Sequence, residues 1–112
     1  MIATSLTSFI SQQPSFEFVD ALENSELLYI SRNNFYNLIK EIPEWERFYI
    51  KLLEFAYIYQ NKRIEELVTL SAGERYDILM KEHPGYIQRL SNKILASYLD
   101  VTQETLSRLK SK

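Results

Sequence analysis

A mainly α-helical fold with a small N-terminal β part is what this sequence predicts, and three observations carry that prediction. A 27-residue stretch without Gly or Pro, Glu44 to Leu70, keeps helical spacing of apolar residues throughout. Short amphipathic segments with capping residues follow it to the C-terminus. Residues 16–31 instead alternate like a strand and contain a turn. Three regions result: 1–42, a β part with a short helix; 43–70, one long helix; and 71–112, a set of small helices.

In "FEFVDALENSELLYIS", Phe16, Phe18 and Asp20 alternate with Glu17, Val19 and Ala21, and "LLYIS" is a second apolar run. These features predict a β-hairpin turning near Glu23–Ser25, which needs a larger sheet or a partner to pack on. Ser31 is a suitable N-cap for a helix carrying Phe35, Leu38, Ile39 and Ile42, and Pro43 ends it while opening the next. The long helix, roughly 40 Å if fully formed, places Trp45, Tyr49, Leu52, Ala56 and Tyr59 at alternating steps of four and three. Phe48, Leu53, Phe55 and Ile58 widen that seam. A helix this apolar packs on its own domain, on a second copy, or on both.

Ser71 and Glu74 have capping-box spacing, so a further helix starts there and continues through Arg75, Tyr76, Leu79 and Met80 until "HPG" at His83–Gly85. The closing stretch "ILASYLDVTQETLSRLKSK" has the slots of a helix-turn-helix. Leu95 and Ala96 allow close helix approach, and Leu99 ends the first helix. Asp100 and Val101 make the turn, and Leu106 and Leu109 close the small core. Asp tolerates positive φ better than most residues. Thr102 is an N-cap for the second helix, and Ser91 or Asn92 for the first.

At 100° per residue, Glu104, Ser107, Arg108 and Ser111 share the outward face of the second helix, and Gln103 stands at its exposed start. Arg pairs bidentately with guanine, Glu accepts from the cytosine amino group and Gln pairs with adenine. Base reading is therefore expected from Gln103, Glu104, Ser107 and Arg108. Phosphate-backbone contacts are expected from Lys93, Lys110 and Lys112, and from the N–H groups behind Thr102. The plainer alternative is a helical hairpin whose polar face is merely solvated.

The charge distribution leans toward DNA. The net charge is −2, but residues 1–70 hold six basic and ten acidic side chains, whereas residues 86–112 hold five and two. The absence of Cys excludes disulfides, thiolate zinc sites and cysteine-held clusters. One His, no Cys and no Gly-rich loop argue against an enzyme, so no catalytic residue, metal or cofactor is expected. No apolar run reaches membrane-spanning length, and "MIATSLTSFISQQ" lacks a basic region before its apolar stretch. A cytoplasmic protein is expected.

Taken in order, "ALENSELLYISRNNFYNLIKEIPEW", "SAGERYDIL", "HPGYIQRLSNKILASYL" and "ASYLDVTQETLSRLK" resemble the Crp/Fnr family of bacterial transcription regulators across nearly the whole chain. The resemblance implies the end of a cyclic-nucleotide-binding-like β-roll, a dimerisation helix and a helix-turn-helix. It puts Glu104 and Arg108 on the family's base-reading positions and Thr102 and Thr105 near the DNA backbone. It also implies double-stranded DNA, a second copy joined through the 43–70 helix, and RNA polymerase as partners. Several positions depart from the family. Asp100 stands where Gly is usual, and Gln103 where the prototype has Arg. "QQPS" offers Ser15 but has Pro14 in place of the cassette Arg, with no Gly–Glu upstream. Some forty residues precede Pro43 where a full β-roll has about a hundred, and no wing follows Lys112. A truncated sensor that does not bind cyclic nucleotide is expected. The competing expectation is a non-enzymatic helical interaction module with little DNA affinity, for which binding would depend only weakly on salt.

Overall fold

The computed structural model describes residues 1–112 as seven helices and no strand. They are α1 (Leu6–Ser11), α2 (Arg32–Glu41), α3 (Pro43–Thr69), α4 (Ala72–Glu82), α5 (Pro84–Arg89), α6 (Asn92–Leu99) and α7 (Gln103–Lys110). Two compact units divide the chain, Met1–Lys51 and Leu52–Lys112. No helix is long and apolar enough to cross a membrane.

The predicted N-terminal β part is not formed. Residues 12–31 contain neither helix nor strand, and Phe16, Phe18, Leu28 and Tyr29 are each more than 90% exposed. The turn near Glu23–Ser25 survives only as local hydrogen bonding, with Ser25 Oγ donating to the Glu23 carbonyl. Alternation of apolar residues stabilises a strand only when one face is buried, and two strands without a third or a supporting helix are marginal in water. This chain supplies no other strand for them to join.

The first unit is built around Phe35, its one buried residue. Ser31 caps α2 by accepting from the Asn34 N–H at 3.2 Å. Ile42 is extended, as the residue before a proline prefers, so α2 stops there and Pro43 starts α3. Phe35 is then met edge-on by Phe9, Trp45 and Tyr49 at ring-centroid distances of 5.3, 5.4 and 5.2 Å. Arg32 ties α1 to α2: its Nε donates to the Phe9 carbonyl at 2.9 Å, and its guanidinium lies 4.5 Å from the Tyr36 ring centroid.

Tyr36 and Tyr49 share a hydroxyl–hydroxyl hydrogen bond of 2.9 Å. Burial, followed by that bond, pushes the Tyr49 phenol up to about 12. An unfolded chain releases this proton near pH 10, as free tyrosine does. Between about pH 10 and 12 the folded chain therefore holds a proton that the unfolded chain has lost, and stability falls as pH rises. The urea midpoint, followed by Trp45 emission, is expected to drop between about pH 10 and 12, and less steeply in Tyr49→Phe. Parallel pH profiles for the two proteins would contradict this assignment.

The second unit packs the remainder of α3 with α4 to α7. Ser71 and Glu74 form the expected capping box, with Ser71 N–H donating to Glu74 Oε2 at 2.8 Å and Glu74 N–H to Ser71 Oγ at 3.2 Å. His83 ends α4, and Pro84 opens α5, with the His83 ring stacked on Tyr86 at 4.6 Å. The core is Leu79, Leu95, Ala96, Leu99 and Leu106, flanked by Tyr76, Tyr86, Ile87, Leu90, Tyr98 and Val101.

Candidate nucleic-acid interface

Helices α6 and α7 are joined by a three-residue connection, Asp100 to Thr102, where the helix-turn-helix pattern was expected. Leu95, Leu99 and Leu106 are each 1% exposed, and Ala96 is 3% exposed. Asp100 takes the left-handed conformation, φ 56 and ψ 49, so it fills the usual glycine slot as its residue type allows. Ser91 caps α6 by accepting from Ile94 N–H at 3.3 Å. Thr102 caps α7 by accepting from Thr105 N–H at 3.1 Å.

The C-terminus of α6 is closed by groups from three places. A helix leaves its last four carbonyls without partners inside the helix. Here the Val101 N–H donates to the Ala96 carbonyl at 3.0 Å and the Asp100 N–H to Ser97 at 3.2 Å. The Tyr98 carbonyl accepts from Arg63 Nη2 of α3. The Leu99 carbonyl accepts from Arg75 Nε of α4 at 3.1 Å, while Arg75 Nη1 donates to the Leu70 carbonyl at 2.6 Å. The two guanidiniums thus act as C-caps delivered from elsewhere in the fold, a favourable place for positive charge. Arg63, Arg75, Tyr98, Glu66, Glu82 and His83 line a small pocket over this end. Burial, then the neighbouring Tyr59, raises the Tyr98 phenol.

Gln103, Glu104, Ser107 and Arg108 are all exposed on α7. Arg108 Nη2 and Glu104 Oε2 lie 3.8 Å apart with side chains 75% and 86% exposed, a loose i,i+4 pair on that face. Such exposed pairs are worth only a fraction of a kcal/mol and open readily. Thr105 is half-buried, and its hydroxyl meets that of Thr102 at 3.0 Å. Lys93 and Lys112 are exposed. Lys110 Nζ donates to Asn92 Oδ1 at 2.6 Å, joining the end of α7 to the start of α6.

The candidate dimer residues divide between the two units. Trp45 and Tyr49 pack on Phe35 within the first. In the second, Leu52 and Ala56 are half-buried and Tyr59 is half-exposed. The strongly exposed apolar residues of α3 in the second unit are Phe55, Tyr57, Ile58, Ile64 and Val68. Sequence reasoning missed the long-range contacts of Arg63, Arg75 and Asn92. Their partners lie 35, 24 and 18 residues away, and no local pattern signals such contacts. No family model, curated protein or solved structure matches the chain.

Proposed function

We propose that this chain is a sequence-specific DNA-binding transcription regulator of the Crp/Fnr type, working as a homodimer that inserts α7 into the major groove. The observation that carries the reading is the buried helix-turn-helix core, closed by a left-handed Asp100, beneath an outward face of Gln103, Glu104, Ser107 and Arg108. Arg108 parts from Glu104 on contact with DNA and donates its fork to guanine, and Glu104 accepts from a cytosine amino group. Lys93, Lys112 and the capped start of α7 meet phosphates. Lys110 joins them by leaving Asn92. A second copy covers exposed apolar residues of α3, setting the two recognition helices about 34 Å apart on successive turns. RNA polymerase is the further partner this reading implies, and cyclic nucleotide is not a ligand.

Selection from a random duplex pool at two salt concentrations tests the reading. An enriched motif with affinity falling steeply with salt is expected. Arg108→Ala should then cost about 1–3 kcal/mol on the enriched duplex and relax one base position. Equal binding of wild type and variant to every duplex would remove the direct-readout claim. The exposed apolar face of α3 also supports a second reading, an interaction module without DNA readout, whose mark is oligomerisation with no enriched duplex and a shallow salt slope.

A further inference from the structure

The small pocket over the end of α6 lies wholly within the second unit, and its charged groups are unevenly matched. Arg63 and Arg75 on its wall are half-buried and form no salt bridge. Their partners are neutral carbonyls, Tyr98 for Arg63, and Leu99 and Leu70 for Arg75. A guanidinium carries five N–H donors. Arg63 commits only Nη2, and Arg75 only Nε and Nη1. The Tyr98 ring, centred 4.2 Å from the Arg63 guanidinium, holds that group in place. The pocket's two acids are better served. Lys62 Nζ lies 3.9 Å from Glu66 Oε1 and 3.6 Å from Glu82 Oε1. The carboxylates thus have their cation in Lys62, whereas the guanidiniums have no carboxylate of this chain. Partly buried charges are costly unless paired.

We propose that this pocket binds a small monocarboxylate, whose planar head accepts from Arg63 and Arg75 and whose short alkyl tail lies against Ile78. The pocket holds about 30 Å³, room for roughly two water molecules and so for a carboxylate head. A carboxylate matches the guanidinium fork bidentately, which a halide does not. A tetrahedral dianion is bulkier and meets stronger repulsion from Glu66 and Glu82, which line the same space. Ile78, Leu79 and Leu99 give the pocket an apolar wall, and Ile78 is the least buried of the three. The guanidiniums that take the ligand also hold the Tyr98 and Leu99 carbonyls. A bound carboxylate therefore steadies both caps and, through them, the end of α6. The proposal stands whether or not the chain binds DNA.

Sodium acetate is titrated into the full chain against sodium chloride at the same pH and ionic strength, with the arginine Nε–H signals followed by nuclear magnetic resonance. Acetate is expected to move the Arg63 and Arg75 signals together along one saturable curve, with a Kd on the order of 1 mM. It should also slow amide exchange over residues 98–102. Chloride should produce only a shallow drift without saturation. Arg75→Gln should weaken acetate binding about tenfold or more, the usual loss of a hydrogen bond to a charged group. Glu66→Gln keeps both guanidiniums and removes an opposing charge, so it should tighten acetate about threefold. That variant decides the matter if Arg75→Gln fails to fold, because a purely structural pair of caps gives no reason for tightening. Three results would overturn the proposal: matching curves for acetate and chloride, marking general ionic screening; saturation at Arg108 with Arg63 and Arg75 unmoved, placing the anion on α7; or acetate affinity unchanged in Glu66→Gln, placing it outside the pocket.

Discussion

Leu106→Ala is expected to lower the unfolding free energy of the second unit by about 2–5 kcal/mol. Leu106 is 1% exposed and is the only fully buried residue of α7. It closes a cluster of just five buried residues, shared with Leu79, Leu95, Ala96 and Leu99. Truncation removes apolar contact and leaves a void that the eight-residue α7 can fill only by shifting. Domains are stable by only about 0.05–0.15 kcal/mol per residue, so this loss consumes most of what a unit of residues 52–112 has. Leu106→Met, which nearly conserves volume, should cost less than about 1.5 kcal/mol. Urea unfolding followed by far-ultraviolet circular dichroism measures both, with amide exchange in α7 as the local readout. A Leu106→Ala protein within about 1 kcal/mol of wild type, well under the usual cost of a buried leucine, would mean that α7 is not packed on α6 as described.

The two helices α6 and α7 and the turn between them were legible in the sequence because each of their requirements is local. Leu95, Ala96, Leu99, Val101 and Leu106 repeat at spacings that a helix period and a three-residue turn dictate. Asp100 and Thr102 have side chains whose chemistry suits a left-handed residue and an N-cap. The same holds for Ser31, and for Ser71 with Glu74, whose bonds close within one turn. What escaped was either long-range or conditional. Arg63 and Arg75 look like ordinary charged helix residues until the fold brings the end of α6 to them. Trp45 and Tyr49 have the spacing of an intermolecular seam, and periodicity alone could not tell that surface from the one that receives Phe35. The strand pattern at 16–31 failed for a conditional reason: alternation specifies which face would be buried but supplies nothing to bury it against. At Glu104 and Arg108, outward facing could be read from helical phase, whereas their pairing across 3.8 Å in the free protein depends on side-chain rotamers.

Phe35→Ala is expected to disrupt the first unit more than any other single truncation there, by about 3–5 kcal/mol. Phe35 is 6% exposed, the one buried residue of this unit, and from α2 it packs against Phe9 of α1 and against Trp45 and Tyr49 at the start of α3. Its four ring neighbours, Phe9, Tyr36, Trp45 and Tyr49, lie at 5.3, 5.9, 5.4 and 5.2 Å. Edge-to-face pairs of this kind contribute about 0.5–1.5 kcal/mol each beyond their burial, so the void removes several favourable contacts together. The other polar ties of this unit do not compensate. The Arg32 bond reaches only the Phe9 backbone carbonyl, and the Tyr36–Tyr49 hydroxyl pair joins two rings that both pack on Phe35. Trp45 is the only tryptophan in the chain, and its Nε1 is buried without a hydrogen-bond partner. Once Phe35 is truncated, the indole loses the ring packed against it and opens to solvent. Trp45 emission should therefore shift to the red in buffer without denaturant, and its urea transition should flatten or disappear. Phe35→Leu, which refills part of the void, should restore a measurable transition at a lower midpoint. Wild-type emission and midpoint in Phe35→Ala would show that the aromatic cluster does not organise this unit.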